Sequence, residues 1–402
     1  MSAGAEAPLA MTAADARALA DEQARAAADP AGAGLVDGVA CARRLGLLRQ
    51  ACAGADMAAF LVRGTSDIVW LTAFDRVFDE EAAHALYVDR ERAVLHTDSR
   101  YATACRAAAA GQPLEVDDAR ETHAAFARRL HGNEIARDLG IEDAISLAEF
   151  RRLEDAFSPS APFRETSGVV VGLRAVKDAS EVARMRAAQA ITDAAFAHIV
   201  GFMAPGMTER EVQLELEGFM ERQGAWGLAF SSIVAAGANG ASPHAIPGAT
   251  VLEAGQCVVL DFGARAWGYC SDMTRTVFLG EPDPEMRAAY EAIRRANEEV
   301  EALLRPGVTG RAAHEHAEAV LAEAGFGGAM GHGLGHGVGI DIHEEPVLSP
   351  RNDRELVAGN VVTVEPGIYL PGRFGMRLED FGVVTDDGFD VFTRSTHEMV
   401  IL

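Results

Sequence analysis

The feature of this sequence that most restricts its fold is a phrase that occurs twice. Pro205, Gly206, Thr208, Arg210 and Gly224 recur as Pro306, Gly307, Thr309, Arg311 and Gly325, each displaced by 101 positions. LEAGQCVVLDFG, from Leu252 to Gly263, then aligns with LVAGNVVTVEPG, from Leu356 to Gly367, at an offset of 104. Thr208-Glu-Arg-Glu211 has the form of a capping box, and a helical run follows each Pro-Gly pair, so each copy reads as helices and then strands. Such a repeat predicts two similar halves packed about a pseudo-two-fold axis. The halves would bring Asp261 and its counterpart Glu365 to equivalent positions on either side of one cleft.

The first copy contains a second constraint. CVVLDF and SDMTRTVF have strand composition, and the short segment Arg265-Ala266-Trp267-Gly268 between them predicts a hairpin. With Ala266 and Trp267 as the loop, Asp261 is expected directly opposite Asp272. Carboxylates so placed have Cβ atoms about 5 Å apart and repel unless they are protonated or bridged by a cation.

Around this repeat the chain reads as two domains preceded by an extension. Residues 1–34 are Ala-rich, with Thr12 and Asp15 spaced like a helix start. Residues 35–165 alternate helical stretches (ACARRLGLLRQAC, ISLAEFRRLEDAF) with strand-like ones (AAFLVR, ALYVDRERAVLHTD), which predicts a smaller mixed α/β domain. The proline-punctuated Ser158–Pro162 reads as a linker, and residues 166–402 form the duplicated domain. The fold class expected is therefore α/β (α+β). The net charge of −24, from 60 acidic against 36 basic residues, argues against nucleic-acid and anionic-membrane partners. Five scattered cysteines without CxxC spacing fit neither a disulfide framework nor a thiolate zinc site, and a reducing cytoplasm is the expected setting. No secretory leader or membrane-spanning run is indicated.

Further segments add to the two aspartates. GHGLGHGVG sets His332 and His336 among glycines, read as letting the backbone crowd a ligand. VVTVEPGIY ends an apolar strand on Glu365, and MRLEDFGVVT supplies Glu379. Four carboxylates, Asp261, Asp272, Glu365 and Glu379, with a neutral imidazole from His336, carry a charge near −4 that two divalent cations would neutralise. Oxygen-rich ligation with one nitrogen favours Mn(II), Fe(II) or Co(II), with Zn(II) also able to bind. Cys257 and Cys270 flank the aspartates and read as small packing residues. His314 and His316, two apart on one helix, read as surface residues.

SDMTRT, GHGLGHGVG, HEEP, VEPGIY and RLED, in this order and spacing, resemble the pita-bread metallopeptidases, which include aminopeptidase P, prolidase and methionine aminopeptidase. The resemblance runs from about Lys177 to Leu402. SDIVWLT and TDSRY resemble, less closely, the N-terminal domain of the proline-specific branch and of creatinase. The resemblance implies a pita-bread catalytic domain and a creatinase-like first domain. It also implies that Asp261, Asp272, His336, Glu365 and Glu379 are metal ligands, with Asp272 and Glu379 bridging. Glu365 is then the general base for a hydroxide between two metals, and His332 and His343 bind substrate and stabilise the tetrahedral intermediate. His244, in ASPHAIPG, belongs to the pocket, and Arg377 orients the site. The expected activity is hydrolysis of the Xaa-Pro bond in small peptides by an aminopeptidase or dipeptidase, and relatives commonly form homodimers. The alternatives are a methionine aminopeptidase-like enzyme or another amidohydrolase on this fold, and a non-catalytic binding protein. A metal-free creatinase-like hydrolase is expected to have lost several ligands, and all five are present.

Overall fold

The computed structural model describes residues 39–79, 81–132, 138–160 and 162–402. The Ala-rich extension, with Thr12 and Asp15, lies outside them. Two compact units are present, one of Val36–Arg174 and one containing Ala175–Leu402.

In the first unit, four short runs, mostly apolar and buried, and two more polar ones form a six-stranded sheet. Its strands are β1 (Ala59–Val62), β2 (Ala85–Asp89), β3 (Ala93–His96), β4 (Glu115–Asp117), β5 (Leu139–Glu142) and β6 (Phe163–Thr166), in spatial order β4-β3-β2-β1-β5-β6. β2 is antiparallel to both neighbours, while β4 runs parallel to β3, β5 to β1 and β6 to β5. Helix α1 (Ala40–Gly54) precedes the sheet; α2 (Thr65–Thr72) and α3 (Ala102–Ala108) lie in its connections. Two more helices, α4 (His123–His131) and α5 (Leu147–Phe157), bury Phe126, Leu153 and Phe157 against Leu61, Tyr87 and Ile141. The chain beyond the proline-punctuated stretch still belongs to this sheet, and α6 (Val169–Arg174) closes the unit.

The second unit carries the repeat. Its first half opens with α7 (Ala179–Phe202) and α8 (Glu209–Arg222), each started by a complete capping box, Asp178 with Glu181 and Thr208 with Glu211. The second half opens with α9 (Pro284–Leu303) and α10 (Gly310–Glu323). The correspondence extends to individual hydrogen bonds. Gly206 N donates to Leu252 O as Gly307 N does to Leu356 O, and Leu252 N to Met207 O as Leu356 N to Val308 O. Gly206 and Gly307 have φ of 97° and 90°, a conformation that penalises any side chain. Each half has its own core, with Val212, Leu216, Val258 and Leu260 in one and Ile293, Val300, Leu321 and Val362 in the other.

The strands that follow form β8 (Ile233–Ala236), β9 (Cys257–Phe262), β12 (Met273–Phe278) and β20 (Val400–Ile401) in one sheet, ordered β20-β12-β9-β8. A five-stranded sheet from the second half orders β14 (Glu344–Leu348), β13 (Gly335–Gly337), β15 (Val361–Val364), β18 (Asp380–Val384) and β19 (Phe389–Val391). A bridge between Thr274 and Glu379 stitches the two sheets together. β7 (Gly227–Leu228), β10 (Ala264–Ala266) and β11 (Tyr269–Cys270) extend the hairpin, and β16 (Gly367–Leu370) pairs with β17 (Phe374–Arg377).

The hairpin corrects two expectations. Its loop is Trp267-Gly268, with φ of 50° and 80°, the paired positive values of a type I′ turn. The ladder therefore sets Asp261 opposite Thr274, not Asp272. The shift is by two residues, so strand alternation keeps both aspartates on one face as diagonal neighbours. His314 is also not a surface residue. It is 8% exposed, with Nδ1 buried and unpartnered among the described residues, whereas His316 reaches Glu299 at 2.9 Å. Both cysteines of the hairpin are fully buried, and Cys270 points its thiol at Ile340 O.

Candidate active site

Strand ends from both halves deliver the site. Asp261 and Asp272 come from the hairpin, His336 from the centre of β13, Glu365 from the residue after β15, and Glu379 from the joint between β17 and β18. Gly335 and Gly337 leave no room for side chains. A Cβ on Gly335 would lie 2.2 Å from Thr363 O, and one on Gly337 2.4 Å from Glu345 O. These glycines admit neighbouring strands, not a ligand, and this close approach carries His336 to the carboxylates.

One ligand atom each from Asp272, His336 and Glu379 can be chosen within 4.8 Å of one another. His336 Nε2 lies 3.6 Å from Asp272 Oδ2 and 3.5 Å from Glu365 Oε1. The ring's other nitrogen, Nδ1, lies 3.0 Å from Gly337 O, which makes Nδ1 the protonated position and frees the Nε2 lone pair to face the carboxylates. Asp261 is held instead by Arg377, whose Nη2 pairs with its Oδ2; its Oδ1 is buried without a hydrogen-bond partner among the described residues. Arg377 also donates from Nε to Thr274 Oγ1 at 3.0 Å and from Nη1 to Tyr369 OH at 2.8 Å. Tyr369 OH in turn meets His332 Nε2 at 3.1 Å, while His332 Nδ1 faces Gly333 O. Thr274 donates to Glu379 at 2.6 Å and Thr363 to Glu365 at 3.2 Å.

Burial, followed by the neighbouring carboxylates, pushes the Asp272 and Glu379 carboxyls well above their usual range; burial raises Glu365 as well, against the pull of Arg377. Burial lowers His332, His336 and His343, favouring neutral imidazoles. Four carboxylates against one guanidinium, an orphaned Asp261 oxygen and a neutral nitrogen ligand together fit divalent cations. His343 stacks edge-on to His336 at 4.4 Å. All nine residues singled out in the sequence, including exposed His244, line one cleft of about 560 Å³.

Residues 183–386 match the profile of metallopeptidase family M24. The chain belongs to this family. Residues 44–176 match the creatinase/prolidase N-terminal domain, so this M24 chain pairs a pita-bread unit with a creatinase-like one. It is 41% identical over 230 residues to an uncharacterised peptidase, YqhT, of Bacillus subtilis, covering 57% of this chain and 65% of that protein. It is 36% identical over 264 residues to an Xaa-Pro dipeptidase of Lactobacillus delbrueckii, covering 65% and 71%. Among solved structures, an Xaa-Pro dipeptidase from Bacillus anthracis superposes with a TM-score of 0.85 at 36% identity, covering 90% of this chain and all of that one. Membership makes the chain a metallopeptidase that acts on peptides with divalent cations. No helix among the described residues is long and apolar enough to cross a membrane.

Sequence reasoning missed Tyr369, Thr274, Thr363 and Arg351, the last an exposed arginine on the cleft wall. Tyr369 was within reach. In the β16–β17 hairpin Gly367 faces Arg377 and Tyr369 faces Gly375, so alternation puts Tyr369 and Arg377 on one face.

Proposed function

We propose that this chain hydrolyses the peptide bond preceding proline, with two divalent cations, Mn(II) foremost, held by Asp261, Asp272, His336, Glu365 and Glu379. The observation that carries the reading is the likeness through both units to an Xaa-Pro dipeptidase, since methionine aminopeptidases usually lack the first unit. Bound at these side chains, the cations would polarise the scissile carbonyl and make water a nucleophile at neutral pH.

The chain's own groups divide the remaining work. Glu365, steadied by Thr363, takes a proton from the attacking water and returns it to the leaving amine. His343, beside His336, supports the oxyanion, and His332, oriented by Tyr369, binds the substrate backbone. His244 closes the mouth of the cleft. Its loop is tied in by Arg377 Nη1, which lies 3.4 Å from Pro243 O. Arg377 thereby orients Asp261, Tyr369 and the loop at once. Arg351 favours dipeptides, because a cation on the wall of an acidic cleft suits a free C-terminal carboxylate. A homodimer in a reducing cytoplasm is the setting this reading expects, and five free, buried cysteines accord with it.

The test is hydrolysis of Xaa-Pro, Xaa-Pro-Xaa and Met-Ala peptides with Mn(II). Proline substrates should be cleaved, and Asp272→Ala should lower kcat by about a hundredfold or more. Arg351→Met should raise KM for the dipeptide more than for the tripeptide. Preference for Met-Ala, or full activity in Asp272→Ala, rejects the reading.

A further inference from the structure

Arg275, on β12, is 1% exposed and is not among the residues that line the cleft. A guanidinium withdrawn from water in this way has five N–H groups to satisfy. Every one of them has an acceptor. Nε donates to Thr396 O at 2.9 Å, Nη1 to Thr274 O at 2.9 Å and to Glu379 O at 2.6 Å, and Nη2 to Asp380 Oδ1 at 2.6 Å and to Ser395 O at 2.8 Å. Asp380 answers the charge. The other acceptors are backbone carbonyls, and one of them belongs to Glu379, a proposed metal ligand.

Alternation along β12 explains how one strand grips this ligand from several sides. Thr274 Oγ1 donates to the Glu379 carboxylate at 2.6 Å and Thr276 Oγ1 to Arg377 O at 2.9 Å, while Arg275 between them leaves from the other face of the strand. Glu379 N donates to Thr274 O at 3.0 Å. Glu379 is thus held at its amide and its carboxylate by Thr274 and at its carbonyl by Arg275. The far side of the guanidinium rests on residues 394–397, which both copies of the repeat fix in place. Asp193 on α7 accepts from Ser395 N at 2.8 Å, Ser395 Oγ at 2.6 Å and Arg394 N at 3.1 Å. Tyr290 on α9 donates to His397 O at 3.1 Å. A carboxylate shared by two cations has to be held to within about 0.5 Å, and a ligand is only as well placed as the backbone that carries it.

We propose that Arg275 is a positioning residue for the metal site: braced on the carbonyls of Ser395 and Thr396, it fixes the Glu379 backbone so that its carboxylate can bridge two cations. The inference rests on Glu379 being a ligand. Arg275→Lys keeps a charge for Asp380 but brings three donors to five acceptors, so carbonyls are left unpaired. In calorimetric titration of the full-length protein with Mn(II), the wild type should bind two ions and Arg275→Lys should hold one of them about tenfold more weakly. The electron paramagnetic resonance signature of a coupled Mn(II) pair should weaken with it. For an Xaa-Pro dipeptide, kcat should fall about tenfold while KM stays within about twofold, because the groups that meet the substrate are untouched. Gly268→Ala, which weakens the same unit through its hairpin turn, controls for lost stability and should keep both ions. Ser395→Ala removes one donor to Asp193, should weaken the same ion about threefold, and decides the matter if Arg275→Lys fails to fold. Wild-type affinity and coupling in folded Arg275→Lys, or in Ser395→Ala where that protein does not fold, overturns the proposal. So does an equal loss in Gly268→Ala, which would make the effect one of stability alone. A wild type that binds no pair of ions, or Glu379→Gln that still couples them, removes the ligand reading itself and the inference with it.

Discussion

Arg377 is the residue on which most of the active-site cleft depends. One guanidinium meets Asp261, Thr274 and Tyr369, and through Tyr369 it reaches His332. A lysine supplies the charge but not the planar fork, so Arg377→Lys should recover little of what Arg377→Met loses, with kcat/KM down by about a hundredfold in both. Steady-state kinetics with an Xaa-Pro dipeptide checks this. The raised carboxyls lead to a second expectation. Asp272, Glu365 and Glu379 hold protons above the usual carboxylate range, and a cation binds only their ionised forms. Loading Mn(II) should therefore release protons, and affinity should fall as pH is lowered. Titrations at slightly acid pH in buffers of different ionisation enthalpy measure the release, and heats that do not depend on the buffer would refute it. Asp261 and Glu365 stood out as candidate ligands because an acid at the end of an apolar strand has few other uses. Arg351 was not legible, since nothing in SPRND separates a cleft arginine from one facing bulk solvent.

The hairpin illustrates what sequence can and cannot decide about an element. Strand composition and the shared face of the two aspartates were readable; the register was not, because it turns on Trp267 adopting a left-handed conformation rare for a bulky residue. The Trp-Gly order was the available clue, since Gly268 suits the second position of a type I′ turn. Gly268→Ala should destabilise the catalytic unit by about 1 kcal/mol, seen as a lower denaturation midpoint without loss of the metal site. A second element-level contact escaped notice because its partners are far apart in sequence. Lys177, just before α7, pairs at 3.1 Å with Glu344, the neighbour of His343, and the two side chains are 1% and 3% exposed. Breaking one side of a buried pair strands the other charge, so Lys177→Met should cost about 3 kcal/mol, and Lys177→Met with Glu344→Met should recover most of it. Urea denaturation of the three proteins distinguishes the cases. The direction of His314 was similarly hidden: spacing separates it from His316 but does not say which of the two meets the core.

At the scale of the molecule, duplication was the most readable property, down to the paired turns at Gly206 and Gly307. What the sequence could not reveal was the weave between the copies. Another feature it hid lies within the second copy, where the half-buried acid Glu301 is grouped with Asp380 and His397. Burial raises its carboxyl from 4.5 to about 8. The folded protein thus keeps a proton there that the unfolded chain has released, and stability should decline as pH rises between those values. Glu301→Gln should flatten that decline in thermal melts, and an unchanged slope would count against it.

The Thr274–Glu379 bridge joins sheets from different copies, and the proposed ligands divide along the same line, Asp261 and Asp272 on one side and His336, Glu365 and Glu379 on the other. The cations would then be bound by a partnership and not by either member. Thermodynamic reciprocity requires that whatever the metals gain from the two copies being held together, the copies gain from the metals by the same factor. Metal occupancy would act as a clasp, and its loss would loosen the joint between two ancestral halves before it unfolded either one.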